Sequence, residues 1–142
     1  MTYATPILPI VDAVRGLITL PSDMTADTSG AAPPKYEPDT LYCWPQTQTT
    51  QPEGTATDWT TFRVRVAWAV AGQGEGMAQT RLRAISDDLD DAVETIVDAV
   101  RANRTYEGLW RSLEVTEVTY DAVVTFDVRA IWVDITGWRL IA

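Results

Sequence analysis

Residues 59–70 read Trp-Thr-Thr-Phe-Arg-Val-Arg-Val-Ala-Trp-Ala-Val. Phe62, Val64, Val66, Trp68 and Val70 fall on one side of a two-residue period, and Thr61, Arg63, Arg65, Ala67 and Ala69 fall on the other. This alternation is that of a long strand with one face against a core. The rest of the chain must supply that core and the strand's neighbours.

Downstream, Gly72-Gln73-Gly74-Glu75-Gly76 ends the alternation, and Leu82, Ile85, Leu89, Val93, Ile96 and Val100 then recur at intervals of three or four. The spacing predicts one long amphipathic helix over Ala78 to Val100, about 39 Å at a rise of 1.5 Å per residue if its flanks are counted. A connector through Tyr106, Gly108 and Trp110 leads to two further strands, Leu113 to Tyr120 and Val123 to Ile135, turning at Asp121-Ala122. Val124, Phe126, Val128, Ala130 and Trp132 share one face of the last strand. Val64, Val66, Trp68, Phe126, Val128 and Trp132 are expected to form one core with Leu82, Ile85, Leu89, Val93 and Ile96. Gly137 is expected to end the ladder, leaving Trp138-Arg139-Leu140-Ile141 as an apolar tail.

Upstream, Ile7, Ile10, Val11, Val14, Leu17 and Ile18 make a helical stripe with Asp12 and Arg15 outside it, bounded by Pro6 or Pro9 and by Pro21. Residues 21–40 have neither helical nor strand period and carry Pro21, Gly30, Pro33, Pro34 and Pro38, so they read as a long loop. Leu41 to Trp44 is a short strand. Pro45 to Thr57 is polar and lacks the apolar surface to offset the ordering of its own backbone, so it reads as a projecting loop or hairpin tip. The expected fold is a single α+β domain, residues 1–142, with loops 21–40 and 45–57 projecting. Its two layers are a four-stranded, mainly antiparallel sheet packed on the long amphipathic helix, with an N-terminal helix beside it.

Composition narrows the function. The 142 residues include 46% hydrophobic residues and six tryptophans, enough for a real core, and carry a net charge of −9 with a pI near 4.3. Such a field repels phosphate and anionic lipid, which argues against duplex DNA as an affinity ligand. The chain has no histidine and one cysteine, Cys43, which removes the commonest general base, an intrachain disulfide and any multi-cysteine zinc site. No apolar stretch approaches the roughly 20 residues of a membrane span. The N-terminal residues lack the grammar of a secretory signal, which predicts a cytosolic product; Asn103-Arg104-Thr105 is then a coincidental sequon.

Motif by motif, chemistry recedes further. The glycine run 72–76 puts Met77 where a dinucleotide fingerprint needs its third glycine, and Glu75 would oppose a pyrophosphate. Asp87, Asp88, Asp90 and Asp91 splay over a helix surface and do not wrap an ion. Ser22, Ser29, Ser86 and Ser112 have no histidine to activate them, and Cys43 in an apolar strand reads as inert packing. No catalytic residue, cofactor site or metal site is assigned, so the chain reads as a non-enzyme. The candidate interface is instead the charged second face, Arg63 and Arg65 on one strand with Asp127 and Arg129 on another. To it are added Trp138 and Leu140 of the tail and Gln46, Gln48, Gln51 and Glu53 of the polar loop.

In layout the chain resembles the small tail terminator proteins of long-tailed bacteriophages. The resemblance covers nearly all of its length and rests on order rather than on a diagnostic motif. An N-terminal helix (Ile7 to Leu20) precedes a strand pair split by a polar loop. A long helix follows, then Tyr106-Glu107-Gly108-Leu109-Trp110, and a hairpin closing on Asp134-Ile135-Thr136-Gly137-Trp138. The resemblance implies a structural virion protein that forms a hexameric ring on the tail tube and stops its polymerisation. It also implies a surface for the head–tail connector, with the major tail tube protein as the other partner and DNA passing without specific binding. The implied location is the virion, and the host cytoplasm during assembly, with no membrane contact. Segment 21–40 and the loop after Trp44 are longer than a minimal member needs. The alternative is a head-completion or connector protein of the same particle; a monomeric binding module and an enzyme are the readings from other classes.

Overall fold

The computed structural model of the chain describes residues 7–18, 20, 24–52, 58–71, 100, 102–103, 110–125 and 128–141. The predicted N-terminal helix is present as α1, Ile7–Gly16, and its stripe faces inward: Ile10, Val11 and Val14 are buried, with Ile7, Leu17 and Ile18 packed against the same core. Beyond Gly16 the backbone tightens into a turn, Leu17 N–H donating to the Val14 carbonyl and Ile18 N–H to that of Arg15, both at 3.1 Å.

Five strands follow among the described residues: β1 (Thr25–Ala26), β2 (Thr40–Pro52), β3 (Asp58–Ala71), β4 (Ser112–Val124) and β5 (Val128–Ile141). They form one mixed sheet in the order β1-β2-β3-β5-β4. β1 lies parallel to the start of β2, and every other pairing is antiparallel. Two long hairpins, β2–β3 and β4–β5, therefore lie side by side and join along β3 and β5, which pair from Asp58↔Ile141 to Ala71↔Val128 without a register shift. The outer strands are less regular: β2 shifts register between Pro45 and Thr47, and β4 does so between Val115 and Glu117 and again between Thr119 and Val123.

This architecture corrects the expected one. The described residues are mostly β, with one short helix and a five-stranded mixed sheet, not a four-stranded sheet on a long helix. The helix predicted over 78–100 lies outside the described residues except for its end. There Val100 is buried in the core, its carbonyl accepts from Asn103 N–H, and the Trp110 indole donates to the Asn103 carbonyl at 2.7 Å. The layer covering the first face among the described residues is α1.

Three strand boundaries also move. Residues 45–52, read as part of a projecting loop, continue β2, and only 53–57 of that segment lie outside the described residues. Their threonines suit a pleated backbone, and β3 supplies the ladder, so pairing replaces burial as the ordering force. Pro45 sits at the register shift and Pro52 at the strand end, where a missing N–H is tolerated. Asp121-Ala122 is the irregular stretch of β4 and not a turn. The turn comes after Val124, where Thr125 exchanges backbone and hydroxyl hydrogen bonds with Val128.

Gly137, expected to stop the ladder, is instead inside β5. A Cβ there would stand 2.3 Å from Phe62 Cζ and 2.9 Å from Leu113 Cδ1. The glycine makes room for an aromatic ring lying across the backbone, and Trp138 to Ile141 continue in register with Thr61 to Asp58. The apolar tail is therefore strand.

The first face of the sheet carries Leu41, Cys43, Phe62, Val64, Val66, Trp68, Leu113, Ile131, Val133 and Ile135 against α1. Val128 and Trp132 were expected in this core, but the register places them opposite Ala71 and Ala67, on the other face. Both sides of β5 are apolar, so alternation alone did not decide which side meets the helix. Phe126 lies outside the described residues.

Candidate functional site

The second face divides along the strands. Toward the Ala71 end of β3 it is apolar: Ala67, Ala69, Tyr42, Trp44, Val128 and Ala130 are buried together, with Tyr36, Val123 and Trp132 packed against them. Small alanines on the central strand leave room for aromatic rings arriving from both sides. Toward the other end the same face becomes ionic.

Asp134, on β5, is 1% exposed and lies opposite Arg65. Arg65 Nε donates to Asp134 Oδ1 at 2.8 Å and Nη2 to Oδ2 at 3.2 Å, a two-point grip. Arg63 Nη2 reaches Asp134 Oδ2 at 3.1 Å and Glu117 Oε2 at 3.2 Å, so two arginines and two acids form a connected lattice across β3, β5 and β4. The Arg65 guanidinium lies 3.8 Å from the centre of the Trp132 ring, and the Gln46 amide, turned so that its oxygen faces the cation, accepts from Nη2 at 2.7 Å. Thr116 donates to the Asp134 carbonyl and meets Thr136 at 3.0 Å. Three cationic N–H donors thus converge on the carboxylate, one on Oδ1 and two on Oδ2. Arg63, one-third exposed, and Glu117, 60% exposed, are the members that meet solvent.

The structure brings only some of the sequence candidates together. Arg63, Arg65 and Gln46 share this lattice. Arg129 does not: it pairs with Val70, which by alternation places it on the first face. Gln48 lies opposite Phe62 and accepts from Arg139 Nη2 at 3.1 Å. Trp138 sits opposite Thr61 and Ser112 on the second face. Gln51 and Leu140 are strand residues paired with Trp59 from either side. Asp127 and Glu53 lie outside the described residues. Sequence reasoning missed Asp134, Glu117 and Tyr36. The available signal was an acid interrupting an apolar strand, but its pairing with Arg65 required a register not yet known.

Cys43 is buried on the first face with its thiol directed at the Val11 carbonyl, and burial pushes its pKa up to about 12. It is inert packing at neutral pH. Among the described residues no cluster of three metal-ligating side chains is present. No protein-family model and no curated protein sequence matches the chain.

Proposed function

We propose that this chain is a structural assembly protein of a phage tail: a subunit of a ring that caps the tail tube, ends its growth and offers the joining surface to the head connector. The observation that carries this reading is the pair of long hairpins. β2, β3, β4 and β5 run 13 or 14 residues each, about 43–46 Å at ordinary strand rise and more than twice the usual strand. Along the polar end of this ribbon Thr47, Gln48, Thr49 and Thr61 are exposed. A sheet this long presents a polar end beyond its apolar core, and such an end suits contact with a neighbouring subunit or a tube.

Two further features support it. The charged groups of the second face lock each other in place, as suits a rigid contact surface. The net charge of −9 is also compatible with DNA sliding past without adhesion.

The test is assembly. Native mass spectrometry of the chain, alone and with tail tubes of its phage, should show a closed ring of six, and electron microscopy should place that ring at tube ends. A ring found on the head connector and absent from tubes would favour the head-completion reading. A chain that stays monomeric and leaves tube length unchanged would overturn both.

A further inference from the structure

In the polar half of the second face the charges are sorted by strand. β3 contributes Arg63 and Arg65 and β4 contributes Glu114 and Glu117, while β5 runs between them with Thr136 and Trp138. Asp134, also on β5, is 1% exposed in the grip of the two guanidinium groups and shows no charge at the surface. Arg63 and Glu114 both stand opposite Thr136, and Arg65 and Glu117 both stand opposite Asp134. Each cation and its matching acid therefore lie one strand, about 5 Å, to either side of β5.

This half is open among the described residues: Thr47, Thr49, Thr61, Glu114 and Glu117 are exposed. No ion pair engages Glu114 among those residues. Arg63 spends its Nη2 on Asp134 and Glu117, and its Nη1 takes no part in that lattice. One row along β5, Trp138 adds a partly exposed aromatic ring.

The sorting has a symmetry. A two-fold axis laid along β5 carries the β3 side of one copy onto the β4 side of another. Arg63 then faces Glu114 of the second copy, Glu114 faces its Arg63, and Arg65 stands across from Glu117, so one arrangement of charge satisfies itself twice. A two-fold axis laid across the strands would instead set arginine on arginine and glutamate on glutamate.

We propose that the polar half of the second face is an interface between two copies of this chain, related by a two-fold axis along β5, with two Arg63–Glu114 ion pairs flanking Thr136. The contact is additional to any that closes a ring and does not rest on one.

The test uses the full-length chain carrying Cys43→Ala, which removes the natural thiol. Two sheets packed face to face stand about 10 Å apart, so a cysteine on the axis, Thr136→Cys, should be joined to its mate by a short bis-maleimide. Thr49→Cys, on the same face but two strands from the axis, has no counterpart and should not be joined. If Thr136→Cys does not fold by circular dichroism, a mixture of Thr61→Cys and Ser112→Cys chains replaces it, because the same axis brings those two positions together. In low-salt sedimentation Glu114→Lys, which turns both attractions into repulsions, should weaken pairing at least about tenfold. Glu37→Lys, the same charge change outside this half of the face, should leave it unaltered. No self-association below about 1 mM, equal linking at Thr49 and Thr136, or pairing indifferent to Glu114→Lys would overturn the proposal. A Thr136→Cys thiol that links to no mate but is shielded from labelling when tail tubes are added would give the face to a tube subunit and overturn the second-copy assignment. Pairs linked at Thr136 that never cap tubes would support this interface and sink the ring reading, so the two proposals fail separately.

Discussion

The two faces of the sheet solve the same problem by different means. The first face carries a hydrocarbon core that includes α1, with Phe62, Val64, Val66 and Trp68 at or near zero exposure, and its polar groups, among them Gln48 and Arg139, stand beside and beyond Phe62. The second changes character midway, from aromatic rings over alanine to a lattice of arginine and carboxylate. Hydrocarbon burial is additive and forgiving of direction, whereas an ion-paired surface holds only while each partner is present. The first face accordingly sets the amount of stability, and the second sets which groups stand where.

The largest separation of the two should come from single deletions. Phe62→Ala removes a ring with no exposure and should cost about 3–5 kcal/mol in chemical denaturation. Asp134→Ala should cost about 3 kcal/mol, because it leaves Arg63 and Arg65 without their shared carboxylate. Replacing Arg63, Arg65 and Asp134 together with apolar residues of similar volume should change stability by only about 1 kcal/mol, since the desolvation cost leaves with the charges. A triple variant as damaged as Asp134→Ala would show that the lattice is itself a source of net stability.

A smaller effect is expected where the first face meets the backbone. Gly137→Ala must displace the Phe62 ring and should cost about 1–3 kcal/mol, with Gly137→Ala/Phe62→Leu recovering part of the loss. Additive losses in the double variant would refute the contact as the cause.

The smallest effect is in the pH dependence. The Cys43 pKa is raised from its ordinary 9.0 to about 12 by burial, so above pH 9 the unfolded chain releases a thiol proton that the folded chain keeps. This contribution is whole below pH 9 and is lost as pH rises toward about 12; Cys43→Ala should flatten that part of the stability curve. The same burial should leave the thiol unreactive toward a water-soluble disulfide reagent at neutral pH until denaturant is added.

How much of this was legible depended on whether a residue announces its side of the sheet. Phe62 to Val70 did, because bulky and small or charged residues alternate, and the Ile10–Val11–Val14 stripe of α1 did so at helical spacing. β5 did not: Ile131, Val133 and Ile135 on one side and Val128, Ala130 and Trp132 on the other are equally apolar, so only pairing decides. Residues 45–52 were hidden because threonine and glutamine order by hydrogen bonding to a neighbour that sequence does not display. Gly137 and Asp121-Ala122 looked like punctuation, yet one is clearance for a ring and the other an irregularity within a strand. The lattice was half visible in Arg63 and Arg65. Its other half, Asp134 and Glu117, comes from strands some fifty to seventy positions away.

The placement of the register shifts bears on how the protein behaves when concentrated. β3 and β5, flanked on both sides, pair over their whole length without a slip, while the shifts fall on β2 and β4, the long strands nearest the outside of the sheet. A straight outer strand of this length would template edge-to-edge growth into fibrils. Interrupted by its register shifts, and with Pro45 withholding a donor on β2 and Glu114 and Glu117 carrying charge on β4, each border is a poor seed for a further strand. The long outer strands are thereby guarded against adding a further strand when the chain is concentrated.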